Sequence, residues 1–240
     1  MTTEIKVIER GENLGLANSV IGGVNEIFQQ HDNVIVLEDD LVTSPLFLKF
    51  MNDCLSFYET NKSIWSITGY CHPIELPKTY DKDVFISHRA SSWGWATWKE
   101  SWQQVNWYNE DYSTFLANKK VQKKFACTGE DLVPMLKSQI YGKLDSWAIR
   151  WSYAHFKNDK YCLFPVKPLI KNIGLDGSGT NFTTSVAKYN TELESGSFDY
   201  SLDSDITFNN EIQNEINKLV RLSFIRRIIN NFKFSKLSKQ

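Results

Sequence analysis

Val34-Ile35-Val36-Leu37 is an unbroken aliphatic run that ends directly in Glu38-Asp39-Asp40. The run is too short for a buried helix and rich in β-branched residues, so it predicts a strand apolar on both faces, as in a parallel sheet. Three acids then stand at the carboxyl end of that strand, where open α/β sheets bind ligands. Clustered carboxylates repel one another unless a cation or donors neutralise them. Ser44-Pro45 follows and predicts a helix start, with Ser as N-cap and Pro at the first helical position, running to about Tyr58.

The rest of the pattern alternates in the same way. Strands are expected at residues 5–8, 64–68, 84–87 and 161–164, and helices at 16–30 and 147–156. Two or three short helices are expected in 112–141. The Gly/Ser/Thr/Asn-rich stretch 172–181 predicts a loop, and 190–210 a loop or weakly ordered linker. The alternation predicts an α/β fold with a mainly parallel sheet flanked by helices. Neither GxGxxG nor GxxxxGK[ST] occurs, which argues against a Rossmann dehydrogenase or a P-loop enzyme. Three segments are expected: 1–189 as the main domain, 190–211 as an acidic linker, and 212–240 as a basic amphipathic C-terminal helix.

Charge supports that last division. Residues 191–215 carry seven acids and no Lys or Arg, while 216–240 carry seven Lys/Arg and no acid. A basic amphipathic helix suits an anionic membrane surface, or else closes the domain with an exposed basic face. The net charge of −1 gives no reason to expect a nucleic-acid partner. The four cysteines show no CxxC spacing and read as reduced packing residues. No apolar run approaches the ~18 residues of a membrane span, and the polar N-terminus does not resemble a signal peptide. The expected location is cytoplasmic, peripheral on the inner face of the plasma membrane.

Three further segments carry chemistry. In His88-Arg89-Ala90-Ser91-Ser92-Trp93-Gly94-Trp95, Gly94 permits close backbone approach, Trp93 and Trp95 are candidates to stack on a sugar face, and Arg89 to meet a phosphate. The competing reading is a Trp cluster that only packs the core. Asp145, in Gly142-Lys143-Leu144-Asp145-Ser146-Trp147, reads locally as a helix N-cap, and Asp131 as the cap of its own helix. Asn172 to Asn181 is a candidate phosphate-cradling loop or a plain surface loop.

The succession Asn13-Leu14-Gly15, helix, Val-Ile-Val-Leu-Glu-Asp-Asp-Leu and Ser44-Pro45-Leu46-Phe47 resembles GT-A type glycosyltransferases, whose fold is Rossmann-like. It is most similar to the Golgi N-acetylglucosaminyltransferase that starts complex N-glycans and to bacterial surface-polysaccharide sugar transferases. The resemblance spans about residues 4–185. It implies Asp40 as ligand of Mn2+ or Mg2+, with Glu38, Asp39, Arg89, Trp93, Gly94, Trp95, Asn172, Gly174, Ser178 and Thr180 around the donor and Asp145 as catalytic base, Glu130-Asp131 being its competitor. It implies inverting transfer from a nucleotide sugar, a UDP-sugar favoured, to a glycan or lipid-linked sugar acceptor. Family comparison also places strand–helix units before the segment seen here, so the domain is expected to be N-terminally incomplete. Two other readings stay open: a Mg2+-dependent nucleotidyltransferase or phosphohydrolase, and a non-catalytic glycan-binding or scaffold protein.

Overall fold

The computed structural model describes residues 4–108, 111–176 and 187–238. Its elements follow in chain order as α1 (Leu16–Ile27), β1 (Asn33–Val36), β2 (Leu41–Thr43), α2 (Phe47–Phe57), β3 (Ile64–Thr68), β4 (Val84–Ser87), β5 (Trp95–Trp98), α3 (Lys99–Gln103), α4 (Tyr112–Ala117), α5 (Lys119–Ala126), α6 (Leu132–Ile140), α7 (Trp147–Lys157), β6 (Tyr161–Pro165), β7 (Ile170–Asn172), α8 (Asn210–Leu219) and α9 (Phe224–Leu237). Five strands form one sheet in the order β1-β5-β3-β6-β4, and β2 pairs with β7 in a separate two-stranded ladder.

The fold is mixed α/β, but the sheet is not mainly parallel. Only β3 and β6 pair in parallel, while β1–β5, β3–β5 and β4–β6 are antiparallel. The register explains the mixture. β4 ends with Ser87 opposite Cys162, near the start of β6, and β5 begins with Trp95 opposite Thr68, at the end of β3. Residues 88–94 therefore travel back along the sheet, and both reversed strands enter between or beside β1, β3 and β6. Those three share one direction, and their carboxyl ends open on one side.

Packing divides the sheet by the two-residue period of its strands. Ile35 of β1 and Ala96 and Trp98 of β5 face the α2 side, where Phe47, Phe50, Met51, Cys54 and Leu55 are buried. Val34, Val36 and Trp95 face the other side, where Trp65, Trp102, Trp147 and Trp151 pack with α1 and α7. The apolar run of β1 is thus covered on both faces as expected. It lies at the sheet edge, however, so its residues are half-buried or exposed. Most of the tryptophans build core: six of the eight are buried, and only Trp93 and Trp107 keep part of their surface in solvent.

Four further expectations change. Residues 5–8 form no strand because no described strand pairs with them; Ile5 and Val7 are 86% and 78% exposed. The helix after Ser44-Pro45 begins at Phe47, with the Ser44 hydroxyl accepting from the Leu46 N–H. Residues 190–209 form a loop, as one of the two readings has it, but a docked one: Phe198 and Ile206 are buried, and the hydroxyls of Tyr200 and Tyr58 donate to Asp53 and to the Asp203 carbonyl. The basic helix is two helices, because Ser223 caps a new start at the Arg226 N–H. Among the described residues, no helix is long and apolar enough to cross a membrane. Cys54, Cys71 and Cys162 are free and buried, as packing residues should be, while Cys127 is free and exposed.

Candidate functional site

Glu38 stands two residues beyond the end of β1, and Asp39-Asp40 make the turn into β2, with the Leu41 N–H donating to the Glu38 carbonyl. The β2–β7 ladder then pins the turn. Leu41 pairs with Asn172, and the Ile173 N–H donates to the Asp40 carbonyl at 2.9 Å. Asn172 is buried and turns the chain by accepting the Gly174 N–H at 2.7 Å. A Cβ on Gly174 would lie 2.7 Å from Asp40 Oδ2, so a larger residue there would push this carboxylate aside. Asp40, Asn172 and Gly174, chosen from distant parts of the sequence, are therefore neighbours. Ser178 and Thr180 lie outside the described residues.

The electrostatics of the turn are unbalanced. Burial raises the Glu38 pKa to about 7, and the charges of Asp40 and Asp39 add to the rise. Asp40 Oδ1 is buried without a hydrogen-bond partner. An acidic turn with an orphaned carboxylate oxygen fits a divalent cation. No group of three His, Cys, Asp or Glu converges on a metal position among the described residues. The fit is therefore to a cation held by one or two carboxylates and otherwise by water or ligand phosphates, a coordination common for Mg2+.

Asp145 stands on the α7 side. Ser146, not Asp145, caps α7, its side chain accepting from the Ile149 N–H. Asp145 instead reaches the start of α1, where the Ala17 N–H donates to its Oδ2 at 3.4 Å and a Cβ on Gly15 would lie 2.9 Å away. Arg150 Nη2 donates to its Oδ1 at 3.0 Å, and the side chain stays 51% exposed. α1 packs on the sheet beside β1 and reverses into it through residues 28–32. The α1 N-terminus and Asp145 thus stand at the same end of the sheet as the acidic turn. The competing candidates are engaged elsewhere. Asp131 takes both guanidinium ends of Arg89 at 2.8 and 2.9 Å, and Glu130 accepts from Arg227 and from the Leu222 N–H.

The Trp segment divides. Trp95 is fully buried between Trp102, Trp147 and Trp151, so its ring has no face left for a ligand. Gly94, at φ +54°, makes its close approach to the Ile170 side chain, which would lie 2.6 Å from any Cβ placed there, and so serves packing. Arg89 is committed to Asp131 with 15% of its side chain exposed, so it is not poised for a phosphate. Trp93 alone retains open surface. Its ring meets Tyr70 edge-on at 4.6 Å and borders a cavity of about 210 Å3 shared with His72, Arg89, Ser152 and Tyr189. Ala148 and Ile149, one turn beyond Asp145, complete its wall.

His72, which borders this cavity, is a buried core residue. It is 6% exposed, both ring nitrogens lack partners, and burial lowers its pKa to about 3, with the Arg89 charge assisting. No local signal marks it, because neighbours such as Phe164 and Arg89 come from distant parts of the sequence. A surface cleft of about 940 Å3, walled by residues 75–78, α5 and α8, shares no residue with the acidic turn. No known family model matches the chain, and no curated protein matches it in sequence.

Proposed function

We propose that the chain is a metal-dependent, inverting glycosyltransferase with a GT-A type domain, acting from a nucleotide-sugar donor on a glycan or lipid-linked acceptor. The observation that carries this reading is the Asp40 carboxylate, with one buried oxygen unpaired and the other packed on Gly174 at the carboxyl end of β1. Asp40 is the metal residue, and Glu38 and Asp39 lie beside it to meet the donor. A bound Mn2+ or Mg2+ supplies the positive charge that stabilises a departing diphosphate. Asn172 and Gly174 hold the loop against the acidic turn. Asp145, fixed by Arg150 and the α1 N-terminus with half its surface open, takes the proton of the attacking sugar hydroxyl. Trp93 and the cavity beside it offer an aromatic edge and polar groups that suit a sugar ring.

That same cavity favours a second reading, a glycan-binding protein without catalysis. Thermal shift with UDP, GDP and dTDP, each with and without Mn2+, separates the two. Transferase function predicts a metal-dependent rise with one nucleotide, lost in Asp40→Asn and retained in Asp145→Asn. A rise with free sugars that ignores metal and nucleotide would replace it with the second reading.

A further inference from the structure

A helix that closes a domain buries its apolar stripe, but α9 turns its stripe outward. Phe224, Ile225, Ile228, Ile229 and Phe232 are 75%, 69%, 39%, 49% and 75% exposed. At 3.6 residues per turn they occupy one arc of about 140°. The opposite side holds the helix to the body, largely through polar contacts. Arg227 Nη2 donates to Glu130 Oε2 at 3.0 Å, Lys233 Nζ donates to Ser138 Oγ at 3.2 Å, and Phe234 is the one buried apolar side chain, stacked on Tyr141. Arg226 and Lys233 flank the apolar arc on one side, Lys236 lies at its margin, and Arg221 precedes the helix, all exposed.

We infer that α9 docks on an anionic lipid surface, with its apolar arc lying in the headgroup–acyl boundary and its basic residues against anionic headgroups. Charge selects this occupant over a second copy of the chain. Residues 216–240 contain seven Lys/Arg and no acid, so α9-to-α9 pairing would set like charges together along the arc. An anionic membrane neutralises them. Long basic side chains at the flank also reach headgroups while their stems stay on the apolar surface. The inference stands on α9 alone and is independent of the reaction proposed above.

The test is flotation of the full chain with phosphatidylcholine vesicles, with and without phosphatidylglycerol, read without any substrate. Sedimentation velocity runs alongside. The expected result is a monomer that floats with phosphatidylglycerol-containing vesicles and not with neutral ones. Phe224→Ser/Phe232→Ser abolishes flotation, and Arg226→Gln/Lys236→Gln weakens it by about fivefold per charge, without change in thermal melting. Because all four side chains are exposed, folding should survive these changes. Absent flotation with anionic vesicles at low salt, or flotation equal in wild type and the Phe double variant, overturns the inference. A dimer that the Phe double variant dissociates, with no vesicle binding, assigns the stripe to a second copy and overturns it equally.

Discussion

Acidification should loosen the attachment of α7, the helix that follows Asp145. His155 on α7 is fully buried, with Nδ1 3.0 Å from the Trp151 carbonyl oxygen and Nε2 2.9 Å from Ser66 Oγ on β3. A carbonyl only accepts, so Nδ1 carries the proton and Nε2 accepts from the Ser66 hydroxyl. A second ring proton would have to displace that hydroxyl's donation, and burial lowers the folded-state pKa to about 3. In the unfolded chain the value is about 6.5. A depressed folded pKa means stability that is present above pH 6.5 and lost as pH falls towards 3. At pH 5 the unfolded ring lies about 1.5 below its pKa, which at about 1.4 kcal/mol per pH unit costs the fold about 2 kcal/mol. Buried His72 adds a similar loss over the same window. Urea unfolding at pH 7.5 and pH 5, in wild type and His155→Gln, isolates the residue. The variant is less stable at pH 7.5, but its further loss on acidification is about 2 kcal/mol smaller than that of wild type. An identical pH dependence in the two proteins would refute the buried, neutral assignment.

Three other substitutions follow from the geometry. Gly94→Ala places a Cβ 2.6 Å from Ile170 at φ +54°, so urea unfolding should show a loss of about 1–3 kcal/mol or more. Gly174→Ala drives a methyl against Asp40 Oδ2, and thermal-shift titration should show weakened metal–nucleotide binding with little change in the ligand-free melting temperature. Arg89→Met or Asp131→Asn alone leaves one buried charge unpaired and should cost about 3–5 kcal/mol in chemical denaturation. The double variant should recover much of that loss.

What can be read from the sequence is local. The β1 run and its acidic turn are legible because a strand's apolar pattern and its abrupt acidic end fall within seven residues. Ser44 announces its helix through the same short-range chemistry, three residues before the helix itself, whereas Ser146, the cap of α7, is passed over for Asp145. The polarity of the sheet is not legible, because it depends on residues 88–94 running back along the strands and placing β5 between β1 and β3. Nor can sequence distinguish Trp93 from Trp95: each flanks Gly94, but β5 begins at Trp95 and turns it into the tryptophan core. Local pattern makes Asp145 the cap of its own helix. It reaches the start of α1 instead, a contact 128 residues away that no local pattern encodes. Arg89 looks free for a phosphate in the sequence because its partner, Asp131, is 42 residues distant. The break between α8 and α9 has a signal in Ser223, which the surrounding apolar and basic periodicity masks.

Electron paramagnetic resonance of Mn2+ tests the central claim most directly, that Asp40 and a nucleotide diphosphate together complete a metal site. With one to two protein carboxylates available, the free Mn2+ signal should fall little with protein alone. It should fall strongly when UDP or the matching nucleotide is added, beyond the fall caused by the nucleotide itself, and recover in Asp40→Asn. A fall that is the same without nucleotide, or the same in Asp40→Asn, would contradict the account.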